Sequence, residues 1–502
     1  MLGWVADLFR LAWGLLYWNL RKSWFRLRRG QTRCPCQSLS DSGRAFETTC
    51  EACIHWDRPI RFRRVCPLLV ETPDGLRCSA DTGDVRPFWG RAARYYGGTF
   101  LAVYAAGVIG VFIFLRTIGY PVSILHVGLP PLWYKVGQAR GWYFLERSRQ
   151  AFAAGQSAEG MLYLANSYEF DPTNYEAGIA LAKNFQVGQP AHADEVFARL
   201  LADHPAKRDF TAEAWFRSLL PRGEFEKITT LARNELGRDS THASVWMRAL
   251  FFSCRRTKND RALRELLANQ APTAAIWHRL IELERLMAER RTKEARLAID
   301  GPWPPRSPAF ALFYRVDALI EMKDVIAALD LLGRHPGVLN LEAEATLRLD
   351  GFAARGAKAT LYREVDELLA PRLEPSTINI LCAHLIRHPE QNIFNRFWEK
   401  MERATIPFTT ETAGAWFSLQ CAAGAVGDTT RLHEITARLK AGSKTPFFAL
   451  NVVESFFRGE LPGRSITSFL PILPLPLEVT YALLERYTDV TVPTATAAPL
   501  RP

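Results

Sequence analysis

The sequence contains no Gly-rich phosphate loop, no GxSxG nucleophile elbow and no HExxH pair. Their absence removes the usual sequence signs of phosphoryl transfer, serine hydrolysis and zinc proteolysis, and no other convergent polar motif replaces them. Cysteine is scarce beyond residue 78, where only Cys254, Cys382 and Cys421 occur. Three scattered thiols with apolar neighbours cannot all pair, and they read as buried packing residues. Acidic residues are sparse at the amino end. Residues 1–96 hold 16 Lys+Arg against 9 Asp+Glu, so +7 of the net +11 lies there and +4 is spread over the rest. A basic stretch beside an apolar span is explained by anionic lipid and by membrane topology before nucleic acid, and no nucleic-acid partner is expected. A hydrophobic fraction of 48% with 23% charged residues excludes general disorder. With 502 residues, the chain has room for two to four domains, or for one repeat array with additions.

What is present begins with Tyr95–Leu115, YYGGTFLAVYAAGVIGVFIFL, flanked by Arg94 and Arg116. An uncharged run of that length at about 1.5 Å per residue crosses a hydrocarbon core of roughly 30 Å, so residues 95–116 are predicted to form a transmembrane helix. Gly98, Ala102, Ala106 and Gly110 give it one small face, where a second helix could approach closely. Arginine is denser before the span (Arg77, Arg86, Arg91, Arg94) than after it (Arg116, with Lys135), which places the amino terminus in the cytoplasm. In a bacterium the larger, carboxy-terminal part would then sit in the periplasm, anchored in the inner membrane. Pro121, Pro130 and Pro131 argue against a second span in the connector 117–139.

Residues 1–30 carry Trp4, Trp13, Trp18 and Trp24 with a basic end at Arg21–Arg29. The order is the reverse of a secretory signal and no small-residue cleavage site follows. They read as an interfacial amphipathic helix; the alternative is a second span ending at Arg21.

Residues 31–92 hold Cys34-Pro-Cys36, Cys50-Glu-Ala-Cys53, Cys66 and Cys78. Short-spaced thiol pairs can each wrap one edge of a tetrahedral metal site. Pro73-Asp74-Gly75 is a turn between two strand-like runs and would draw Cys66 towards Cys78. The pattern resembles a zinc ribbon, although its second pair is not CxxC and six candidate ligands exceed four. Zinc is the expected cofactor; an iron–sulfur cluster is the alternative, and disulfides would apply in an oxidising compartment. Covalent haem is disfavoured, since His55 does not directly follow Cys53.

From about residue 140 to 488 the pattern is helical. Breaks fall at Pro172, Pro205, Asp239, Pro272, Pro308, Gly337, Pro375, Pro407 and Pro446, mostly 32 to 36 residues apart. That period means paired helices stacked as an α-solenoid, and the fold class is mainly α. The unit Asn174–Pro205, with Gly188 in the inter-helix turn, Ala193 and Phe197 on the second helix and Pro205 closing it, resembles a tetratricopeptide repeat (TPR). Gly223 and Gly427 sit in corresponding later turns. The resemblance implies a non-enzymatic scaffold that binds partner proteins on its inner face. Rival readings are a redox or metal-dependent component built on the cysteines and an accessory subunit of envelope polysaccharide synthesis or export. His384 and His388, spaced i,i+4, could share a metal, but no acidic third ligand is evident nearby and they read as helix-surface histidines. Residues 489–502, rich in Pro and Ala, are expected to be a disordered tail.

Overall fold

A computed structural model of the chain describes residues 37–39, 46–48, 69–72, 75–78 and 97–488, apart from 239–241, 269–274, 305–306, 371, 405, 410 and 443–447. The fold is mainly α and divides into two compact units, Met1–Arg147 and Ser148–Pro502. The expected interfacial helix over 1–30 and the tail 489–502 lie outside the described residues.

In the first unit, β1 (Gln37–Leu39) pairs antiparallel with β2 (Phe46–Thr48), and β3 (Leu69–Thr72) with β4 (Gly75–Cys78). The second pair turns where Pro73-Asp74-Gly75 predicted a hairpin. Helix α1 (Gly98–Ile118) is, among the described residues, the one helix long and apolar enough to cross a membrane. Its Phe100, Leu101, Val103, Ile113 and Phe114 are exposed. The helix passes Arg116 and ends two residues later, because the stop is Gly119 at φ +103°, whose N–H caps Leu115 and Arg116 carbonyls. A short α2 (Ile124–Gly128) and a 3₁₀ turn, Pro130–Leu132, follow. The prolines of the connector thus break the chain into short pieces.

Helices α3 (Tyr134–Ala153) and α4 (Ser157–Phe170) lead to a series of helical hairpins. These are α5 (Tyr175–Gly188) with α6 (Pro190–Asp203), α7 (Arg208–Arg222) with α8 (Phe225–Leu236), and α9 (Ala243–Thr257) with α10 (Arg261–Ala268). Next come α11 (Ala275–Ala288) with α12 (Thr292–Asp300), α13 (Ala309–Glu321) with α14 (Val325–Gly333), and α15 (Leu341–Arg355) with α16 (Lys358–Leu369). The last are α17 (Pro375–Arg387) with α18 (Gln391–Ala404), and α19 (Ala413–Val426) with α20 (Thr429–Gly442). Successive first helices start 32 to 38 residues apart, and the predicted breaks among the described residues fall between hairpins or at a hairpin's first residue. First helices pack on first helices, as α11 on α13, α13 on α15 and α15 on α17 do, an arrangement compatible with an α-solenoid.

Local chemistry explains the turns. Gly223 at φ +69° and Gly427 at φ +89° end α7 and α19 in the left-handed region, which costs glycine little. Gly188 does not act this way: it is the last residue of α5, and Pro190 opens α6 with its fixed φ. Ala193 and Phe197 are fully buried on α6, and Phe197 stacks on Trp215 of the next hairpin at 6.2 Å. Buried ion pairs tie neighbours together. Asp194 accepts hydrogen bonds from Trp215 at 2.9 Å, Arg222 at 2.5 Å and Lys227 at 2.9 Å. Burial acts to raise its carboxyl, but these hydrogen bonds outweigh it and hold the group below its ordinary value.

One core runs from Leu201 to Leu484. The last part of the chain closes it. After α21 (Phe448–Phe457), two 3₁₀ turns (Ile466–Ser468 and Leu470–Ile472) reach back to α7, the second also touching α5. Helix α22 (Leu477–Tyr487) then lies against α17 and touches α7. The carboxy-terminal segment therefore crosses the layer of first helices that an open array would expose.

Candidate functional site

Four charged or titratable residues recur at one position of successive first helices: Glu284, Asp317, Asp350 and His384, spaced 33, 33 and 34 residues apart. A helix interior disfavours aspartate, and an apolar helix face disfavours it further. The hairpin period brings these residues into one row. Asp317 and Asp350 line a cavity of about 1160 Å³, walled by α9, α13, α15, α17 and α22. Its lining mixes rings, including Phe251, Phe313 and Tyr481, with Arg255, Asp317, Glu321, Asp350, Arg387 and Glu485.

At one end sits a triad around the buried Glu284. Arg255 donates two hydrogen bonds to Glu284 at 2.8 Å each and one to Tyr314 Oη at 3.2 Å. Tyr314 itself donates to Glu284, and Arg255 also pairs with Glu321 at 2.9 Å. Burial alone would discharge Arg255, but the Glu284 charge reverses this and raises its affinity for the proton. Burial, joined by Glu284, raises the Tyr314 hydroxyl well above its ordinary value. Arg255 thus stays charged and Tyr314 keeps its hydroxyl proton.

At the other end Arg387 bridges Asp350 and Glu485, 3.0 Å from each. Asp350 Oδ1 meets His384 Nδ1 at 3.0 Å, and His388 Nε2 faces the same oxygen at 3.8 Å. Burial would raise Asp350, yet Arg387 and the His384 hydrogen bond hold it down at about 2. Burial pushes His388 below its ordinary value, against the pull of Asp350. The expectation of two helix-surface histidines is corrected here. His384 is 1% exposed, and an acidic neighbour does exist, supplied by α15 rather than by the same helix.

Between the two ends stands Asp317, which makes no hydrogen bond or ion pair among the described residues. Enclosure raises its carboxyl to about 6; Arg255 opposes the shift, while Glu321, Glu485 and Asp350 add to it. A carboxyl bound to its proton more tightly folded than unfolded stabilises the fold below about pH 4 and loses that contribution as the pH rises through 6. Asp317→Asn is therefore expected to stabilise the protein by about 1–3 kcal/mol at pH 8, with the difference shrinking towards pH 4. Thermal unfolding of both proteins across that range checks it; a difference independent of pH would refute the assignment.

Helix α22 bridges the two ends. Tyr481 packs edge-on against Phe252 at 4.6 Å with Arg248 over its ring at 4.5 Å, while Arg486 donates to the Ile386 carbonyl at 2.7 Å. The remaining thiols have no part in this. Cys254, Cys382 and Cys421 are buried and free, and burial pushes Cys254 and Cys421 up to about 12 and Cys382 well above its ordinary value. They are packing residues, as read from their neighbours. Of the proposed metal ligands, Cys34, Cys36, Cys50, Cys53 and Cys66 lie outside the described residues; Cys78 ends β4, opposite Leu69.

The chain matches no known family model and no curated protein. The likeness to a tetratricopeptide repeat therefore rests on the residues of the Asn174–Pro205 unit and on the hairpin period.

Proposed function

We propose that the protein is a non-enzymatic, membrane-anchored scaffold whose TPR-like α-solenoid holds a segment of a partner protein. The observation that carries this reading is the cavity. At about 1160 Å³ it exceeds the roughly 300–1,000 Å³ usual for small-ligand pockets, and its walls alternate aromatic rings with charges of both signs. Such a wall suits a polypeptide carrying both apolar and polar side chains. Because α22 already covers part of the inner face, recognition is confined to the space between α9 and α17.

In this reading α1 is the anchor, with its small face open to a second helix: a Cβ added at Gly98 or Gly110 would meet nothing within 4 Å. The arginine bias places the amino terminus and a zinc-holding cysteine module in the cytoplasm, and the hairpin series across the membrane, in the periplasm if the cell is bacterial. A photo-crosslinking residue at Phe310 on the cavity wall is expected to capture one defined polypeptide in native membranes. The same residue at Leu297, 73% exposed on α12, is expected to capture none. Equal capture at both positions, or none at Phe310, would refute the reading.

A further inference from the structure

We propose that Asp350, His384 and His388 form a site for a divalent transition ion of the zinc type, on the wall of the cavity. Their three ligand atoms lie within 4.8 Å of one another. The two distances to Asp350 Oδ1, 3.0 and 3.8 Å, bracket the separation of roughly 3.3 Å that tetrahedral ligands show around an ion bonded at about 2.0–2.1 Å. A direct hydrogen bond accounts for only one of these approaches. His384 is within range, whereas 3.8 Å is too long for His388, which nevertheless points at the same oxygen. His384 sits in the last turn of α17 and His388 is the residue that caps that helix, so the two imidazoles come from one helix end.

The surroundings complete the case. Arg387 occupies the other Asp350 oxygen and is itself held by Glu485, so the carboxylate is oriented and Oδ1 remains for an ion. Asp350 and His388 both line the cavity, which supplies a path of entry and leaves coordination positions open on that side. Two imidazoles and one carboxylate favour zinc, cobalt or nickel over magnesium and calcium, which prefer all-oxygen sets. Ligation through His384 Nδ1 displaces the proton now shared with Asp350. That proton moves to Nε2, a buried atom with no hydrogen-bond partner among the described residues. This site does not depend on the scaffold reading and stands or falls separately.

The test uses the full chain in detergent, with Cys34, Cys36, Cys50, Cys53, Cys66 and Cys78 replaced by serine to remove thiolate ligands. Titrated with cobalt(II), this protein is expected to bind one ion per chain, with a visible spectrum of nitrogen and oxygen ligation and no sulfur charge-transfer band. Adding His388→Ala or Asp350→Asn is expected to weaken binding at least tenfold while circular dichroism stays helical. In the wild-type background, His388→Ala is expected to lower bound zinc by one ion per chain, which keeps the test decisive if the serine variant misfolds. Absence of stoichiometric binding, or binding unchanged by His388→Ala, would overturn the proposal.

Discussion

Glu284→Ala is expected to cost roughly 3 kcal/mol of stability, at the lower end of what breaking a buried ion pair brings. Glu284 is 1% exposed and accepts from both Arg255 and Tyr314, so its removal leaves a half-buried guanidinium and a buried hydroxyl short of their acceptor. Glu321 still holds Arg255 at 2.9 Å, which is why the upper end of the range is not expected. Chemical denaturation gives the measurement, and the double variant Arg255→Met/Glu284→Leu sharpens it. An apolar pair of similar volume leaves no charge stranded and is expected to recover most of the loss. A Glu284→Ala cost below 1 kcal/mol would show that the triad is far better hydrated than its geometry implies.

Removing the chain after Arg464 is expected to have a larger effect still. The deleted segment buries Ile466, Phe469, Leu470, Val479, Tyr481, Leu483 and Leu484, each at most 4% exposed. Burial of one such side chain contributes roughly 1.5–3 kcal/mol, against an ordering cost of about 1–2 kcal/mol per residue fixed. Deletion also exposes the apolar surfaces on α7, α9 and α17 that the segment covers. Several kcal/mol is most of the ordinary margin of a folded domain. The truncated protein is expected to aggregate or to unfold at a markedly lower temperature, with protease cuts spread through α7–α17. An unchanged melting temperature and digestion pattern would mean that the returning segment is a detachable strap. Leu484→Ala, at about 2–5 kcal/mol, gives the same answer without changing chain length.

The hairpin period was legible because its signals are local. A proline that cannot continue a helix, or a glycine taking positive φ as Gly223 and Gly427 do, marks a boundary whatever the chain packs against. Where other residues hold that conformation, as Lys258, Arg290 and Lys323 do inside their hairpins, composition offered no marker and the sequence reading named no turn. The candidate site was half legible. His384 and His388 stood out by spacing, yet their acidic neighbour lies 34 residues before His384 and was missed. Reading the charged residues at the hairpin period would have aligned Glu284, Asp317, Asp350 and His384 in advance.

Sequence by itself determined the order of parts: one apolar run of spanning length, a basic cysteine-bearing stretch before it and paired helices after it. Hydropathy, turn chemistry and period are properties of neighbouring residues, so no three-dimensional information is required to read them. Only the tertiary structure decided that the inner face is not an open groove. Contacts such as Arg387 with Glu485 and Phe252 with Tyr481 join residues about one hundred to well over two hundred positions apart. No local pattern encodes which apolar face α22 will cover; that choice is made by shape and charge when the whole array is assembled. The same assembly turns isolated ionisable residues into a row, two of them on the wall of one cavity, and gives two histidines a carboxylate to share.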